Sequence, residues 1–154
     1  MTSRIMGSVT GRRTSVLRTL ALVVGAVFLL VGVLGFIPGI TTHYGDLGFA
    51  GHTSHAKLLG IFQVSVLHNI VHLLFGAAGI AMARSADSAF AYLVGGGAIY
   101  LVLWVYGLVV DKGSDANFVP LNNADNWLHL LIGAGMVVLG FVGRASERSR
   151  SRIL

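Results

Sequence analysis

Four stretches of the chain are almost free of charge, and polar or charged punctuation separates them. The first runs from about Val16 to Ile37 and stops at Pro38-Gly39, a pair that ends helices. The second spans about Leu58 to Ala83, the third about Phe90 to Val110, and the fourth starts near Asp125 and ends near Val142. Crossing a hydrocarbon core takes about 20 mostly apolar residues, within a range of about 17–25. Glycine is frequent in all four, as membrane helices tolerate and soluble ones do not. The pattern predicts an all-α fold. Residues 16–143 form a four-helix transmembrane bundle, between a basic tail at 1–15 and another at 144–154.

Composition agrees with that pattern. Of 154 residues, 55% are hydrophobic and 11% charged, with 21 glycines; mean hydropathy is +0.79. A soluble domain carries roughly 25% charged residues. The absence of cysteine excludes disulfides, thiolate metal sites, Cys-ligated clusters and Cys nucleophiles. The net charge of +5 sits at the chain ends beside apolar runs, which suits a lipid surface and argues against a nucleic-acid partner. No nucleophile elbow, phosphate-cradling loop or dinucleotide fingerprint is present, and Gly95-Gly96-Gly97 lies inside an apolar span, where it reads as helix packing.

The arginines orient the spans. Arg4, Arg12, Arg13 and Arg18 precede or open span one, Arg84 lies between spans two and three, and Arg144, Arg148, Arg150 and Arg152 follow span four. All fall on one side, with Lys57 and Lys112 on the other, so both termini are expected in the cytoplasm of a multi-pass inner-membrane protein. The first apolar run is longer than a signal peptide's and has no A-x-A-like site, while Gly11-Arg12-Arg13-Thr14 only faintly resembles a twin-arginine signal. An uncleaved first span is therefore expected. The short turn at 84–87 predicts that spans two and three are antiparallel neighbours. The outside segments, about 38–57 and 111–125, carry no strong strand pattern, and the tail from Arg144 reads as disordered, with affinity for anionic lipid. Trp127 and Tyr92 are placed at the two interfaces, Tyr100, Trp104 and Tyr106 read as packing, and Asn123 or Asp125 is expected to cap span four.

Spans two and four echo each other. Asn69-Ile70-Val71-His72-Leu73-Leu74-Phe75-Gly76-Ala77 and Asn126-Trp127-Leu128-His129-Leu130-Leu131-Ile132-Gly133-Ala134 both read N-x-x-H-L-L-x-G-A, 57 residues apart (Asn69 to Asn126). Both spans run from outside to inside, which suggests a duplicated two-helix hairpin. Spans one and three do not align at that offset. Ser65, His68, Asn69, His72, Gly76 and Gly79 form one helical stripe, and Asn126, His129, Gly133, Met136 and Gly140 form another. Polar groups are costly in lipid, so both stripes are expected to face a shared interior near the outer surface.

Three uses of His68, Asn69, His72, Asn126 and His129 compete. They can be a hydrogen-bond network that fixes helix register. His72 or His68 with His129 can hold haem b between helices, and His68, His72 and His129 can chelate a transition metal. A proton path is the third use, but below His72 the stripe turns to glycine and alanine. In the outer loop, His43, His52 and His55 are a further candidate metal set, against a solvated loop. Asp111, Asp115 and Asp125 lack the spacing of a calcium loop.

Several of these words together resemble a known family. Phe36-Ile37-Pro38-Gly39-Ile40-Thr41-Thr42, His68-Asn69-Ile70-Val71-His72-Leu73-Leu74-Phe75-Gly76, Asn117-Phe118-Val119-Pro120-Leu121-Asn122 and Asp125-Asn126-Trp127-Leu128-His129-Leu130 are similar to a family of small actinobacterial four-span membrane proteins, described only as a domain of unknown function. The resemblance covers about residues 16–143 and implies four spans in an inner membrane, with no activity attached. The residues themselves suggest a non-enzymatic structural or accessory protein. Its partners are then the lipid bilayer, further copies of itself or a larger membrane complex. A haem- or metal-binding redox protein is the alternative.

Overall fold

A computed structural model describes residues 15–152; the basic stretch before Ser15, with Arg4, Arg12, Arg13 and the twin-arginine-like motif, lies outside the described residues. Four helices dominate: α1 (Val16–Leu34), α2 (Val66–Met82), α3 (Ala86–Val109) and α4 (Asn123–Ser151). Apart from one three-stranded antiparallel sheet the fold is all-α. The sheet, ordered β1 (Thr41–Thr42), β2 (Lys57–Leu58), β3 (Phe62–Gln63), folds the loop between α1 and α2. This loop is thus more ordered than its composition suggests. Its small core is Ala56, Leu58 and Val64, and buried Ser54 donates to the Val64 carbonyl at 2.6 Å.

Each helix begins on a side-chain cap. Ser15, Ser65, Ser85 and Asn122 accept from the backbone N–H of Arg18, His68, Ser88 and Asp125 respectively. Such caps satisfy N–H groups that have no intrahelical partner. They also correct the expected boundaries. The second helix begins at Val66, because Leu58 is in a strand and Ser65 sets the start; the third begins at Ala86, because Ser85 caps it; α1 ends at Leu34, ahead of Ile37. At α4 the N-cap is Asn122, with Asp125 closing a capping box.

The tail after Arg144 is also corrected: it stays helical to Ser151. Its Glu147 carboxylate accepts from the Ser15 hydroxyl and from the Leu17 N–H, where the N-terminal end of the α1 dipole favours an anion. Arg144 pairs with Asp87 and lies 4.8 Å over the Phe90 ring. Helices α1, α3 and α4 are long and apolar enough to cross a membrane, while α2, at 17 residues, is a shorter apolar helix.

Glycine decides which helices touch most closely. The broadest contacts are α1 with α2 and α3 with α4. A Cβ on Gly25 would stand 2.9 Å from the Gly76 carbonyl oxygen, and one on Gly97 would stand 2.8 Å from the Gly133 carbonyl oxygen. Reciprocally, a Cβ on Gly76 would meet the Leu29 nitrogen at 2.6 Å, and one on Gly133 the Leu101 nitrogen at 2.9 Å. Backbone therefore lies on backbone within each hairpin, as small residues permit. Midway between the hairpins the contacts are aromatic. Phe75 of α2 packs on Tyr92 and Tyr100 of α3 at 5.3 and 5.7 Å between ring centroids. Helices α2 and α3 are neighbours as the short turn requires, yet they stand apart by a ring's width. Tyr92, expected at the inner interface, is buried instead and faces Gly79.

Candidate functional site

The glycine seats expose a repeat that the N-x-x-H-L-L-x-G-A words only hinted at. Gly25-Ala26-Val27-Phe28-Leu29 and Gly97-Ala98-Ile99-Tyr100-Leu101 lie 72 residues apart (Gly25 to Gly97), whereas the second helices of the two hairpins are offset by 57. The longer connection between α1 and α2 accounts for the difference. At these two offsets the contacts coincide: Gly25 on Gly76 matches Gly97 on Gly133, and Gly35 on Asn69 matches Gly107 on Asn126. The molecule is two like hairpins side by side.

That repeat decides where the polar residues go. The two stripes are buried at the expected positions, Asn69, His72, Gly76 and Gly79 on α2 and Asn126, His129, Gly133, Met136 and Gly140 on α4. They do not share one interior along their whole length. Each asparagine turns to the first helix of its own hairpin, where a Cβ on Gly35 or on Gly107 would land on its carboxamide. The Asn69 carboxamide is buried without a hydrogen-bond partner, as is the Asn126 Oδ1. Only the histidines approach the middle. The reason is the glycine seating, which aims the lower stripe at the helix packed most closely against it.

At the centre, Phe28 and Tyr100 occupy equivalent places. Phe28 packs on His72 at 5.4 Å, Tyr100 packs on His129 at 5.2 Å, and the two rings face each other across the hairpin boundary at 5.3 Å. The Tyr100 hydroxyl lies 3.4 Å from His72 Nε2, while His72 Nδ1 lies 3.0 Å from the His68 carbonyl. A carbonyl only accepts, so Nδ1 carries the proton and Nε2 accepts from the tyrosine. Phe28 has no hydroxyl to offer His129, and the Nδ1 atoms of His129 and His68 are buried and unpartnered. The His68 and His72 rings lie 4.2 Å apart between centroids, tilted by 43°. Tyr100 is the residue that sequence reasoning set aside as packing; its alignment with Phe28 was the signal that singles it out.

A cavity of about 290 Å³ opens beside this cluster between α2 and α3, lined by His68, His72, Tyr100 and His129 with Val71, Ile99 and Phe118 among its apolar walls. Its counterpart between α1 and α4, about 250 Å³, has His72 as its one polar side chain.

The metal sets are not assembled. Among the described residues no group of three or more His, Asp or Glu side chains is arranged to hold a metal ion. His72 holds its Nδ1 on the His68 carbonyl and has the Tyr100 hydroxyl 3.4 Å from its Nε2. In the outer loop, His43 and His55 are exposed and His52 turns to Asp115 at 3.8 Å. Asp125 is structural: buried, it accepts from the Asn122 N–H at 2.9 Å and from the Gln63 N–H at 3.1 Å, tying β3 to α4.

The family model described as "Domain of unknown function (DUF4383)" matches residues 18–142, and the chain belongs to that family. The comparisons with curated proteins and with solved structures find no match.

Proposed function

We propose that the chain is a small, non-enzymatic four-span protein of the inner membrane with cytoplasmic termini, a structural or accessory subunit that assembles with copies of itself or with a larger membrane complex. The observation that carries this reading is the burial of the polar cluster between the helices. Tyr100 joins His72 of the first hairpin to His129 of the second, and each asparagine sits on a glycine of its own hairpin. Interhelical hydrogen bonds in membranes average about 0.6 kcal/mol, so such a cluster fixes register more than it adds stability.

The fourth crossing is α2. Its Gly76 matches Gly133 of α4, and the loop before it covers its N-terminal end, where the Val66 and Leu67 N–H groups donate to the Gly48 and Phe49 carbonyls, so it needs fewer residues than a helix bare to lipid at both ends. Arginine placement supports the cytoplasmic termini.

Reporter fusions test the topology: alkaline phosphatase joined after residue 115 is expected to be active, and after residue 84 or 150 inactive. Activity at 150 would reverse the orientation. The absorption spectrum tests the role. The purified protein is expected to be colourless, and a Soret band that disappears in His129→Ala would replace the accessory reading by the haem one.

A further inference from the structure

The cavity between α2 and α3 is more than a packing gap between hairpins. We propose that it binds an uncharged, flat-ringed, membrane-soluble molecule carrying ring oxygens and an apolar tail, the chemistry of a quinone or quinol. This inference rests on the membrane reading of the helices and goes beyond the accessory role.

Four observations define the ligand class. No Lys, Arg, Asp or Glu lines the cavity, which favours an uncharged guest. His129, 4% exposed, and His68 both line it, and the Nδ1 of each is buried without a partner in the protein, so no internal bond holds either imidazole against turning a nitrogen toward a guest. A neutral imidazole offers one donor and one acceptor, so such a pair can hold a carbonyl or a hydroxyl oxygen. The remaining walls include the rings of Tyr100, Phe118, His68 and His72, against which an aromatic or quinonoid ring packs face-on or edge-on. At about 290 Å³ the space is at the lower edge of ligand pockets, about 300–1,000 Å³. It takes a single ring, not a porphyrin.

The mouth decides where the molecule comes from. Val71, Ile99 and Phe118 are 49%, 54% and 57% exposed, and with α2 and α3 in the bilayer Val71 and Ile99 face hydrocarbon. A tail can therefore stay in lipid while the ring enters. The equivalent groove between α1 and α4 has the same aliphatic rim, Val27 where Ile99 stands, but lacks His68 and His129. It is a control within the same molecule.

The test is titration of the full chain in lipid nanodiscs with decylubiquinone, read by quenching of Trp104, next to the lining residue Leu103, and of Trp127. Saturable quenching at one quinone per chain is expected. His68→Leu and Ile99→Phe are each expected to weaken it at least tenfold, and Val27→Phe less than twofold. Decylbenzene, which has the tail and a ring but no oxygen, should not compete. Ile99 and Val27 are on the half-exposed surface, so both phenylalanine variants test the site without asking the buried cluster to refold. Quenching that rises linearly with quinone in the lipid would overturn the proposal. So would equal weakening in the two rim variants, unchanged binding in both His68→Leu and Ile99→Phe, or displacement by decylbenzene. Such a result leaves the reporter-fusion topology untouched, so failure of the site and failure of the membrane reading are separable.

Discussion

The two hairpins share a frame and differ at a few side chains. In both, a glycine of the first helix lies on a glycine of the second, and a higher glycine carries an asparagine. The third residue into the second helix is where they part. In the second hairpin it is Asp125, which closes a capping box and holds β3. In the first it is His68, which makes no such bond through its Nδ1 and lines the cavity instead. The first helices differ at Phe28 and Tyr100, where only the second has a hydroxyl to reach across. Matched positions with matched residues hold the frame, and matched positions with unlike residues make the two sides of the molecule inequivalent.

The largest effects should come from the shared frame. Gly76→Ala and Gly133→Ala each drive a methyl into a neighbouring backbone, 2.6 Å and 2.9 Å from the nearest atom. Each should cost about 1–3 kcal/mol in steric-trapping or thermal unfolding measurements. Gly95→Ala and Gly135→Ala, with nothing within 4 Å, should cost nothing. A large loss in one hairpin and none in the other would break the equivalence. Next come Gly35→Ala and Gly107→Ala, which displace a carboxamide instead of a backbone. Losses of about 1 kcal/mol are expected, reduced when paired with Asn69→Ala or Asn126→Ala, since overpacked sites couple. A double-mutant cycle without coupling would detach the asparagines from the glycines.

The unlike positions should matter less. Tyr100→Phe is expected to cost about 0.6 kcal/mol, and at most about 1.7 kcal/mol. Phe28→Tyr, which offers His129 the hydroxyl it lacks, should be neutral or slightly stabilising, and the two together should exchange which histidine is bonded. Small too is the effect of Asp87→Asn, which removes an exposed ion pair with Arg144 worth about 0.2–1 kcal/mol, and less at high salt.

Much of this arrangement was legible in the chain. Apolar length predicted the helices, and helical spacing predicted the buried stripes, because burial in a bundle follows the 3.6-residue period and little else. The boundaries were less legible: Leu58 to Val64 is apolar enough to extend a span, but the turn at Leu59-Gly60, both in the left-handed region, folds it into β2 and β3, and the Ser65 cap starts the helix after them. The tail after Arg144 read as disordered because its charges are solvated, but Glu147 finds the start of α1, a contact 130 residues away in sequence. The site was legible as residue types but not as partners. Asn69 and Asn126 face away from each other because glycines on α1 and α3 admit them there. No inspection of α2 and α4 alone contains that information.

The contact between Glu147 and the Ser15–Leu17 turn has a topological corollary. It brings the end of the second hairpin beside the beginning of the first, while the turn at Ala83 to Ser85 is the chain's sole covalent tie between them. The order in which the hairpins are synthesised is then a matter of wiring. A circular permutant that starts at Ser85 and rejoins the old ends through a short flexible linker should insert and assemble into the same object.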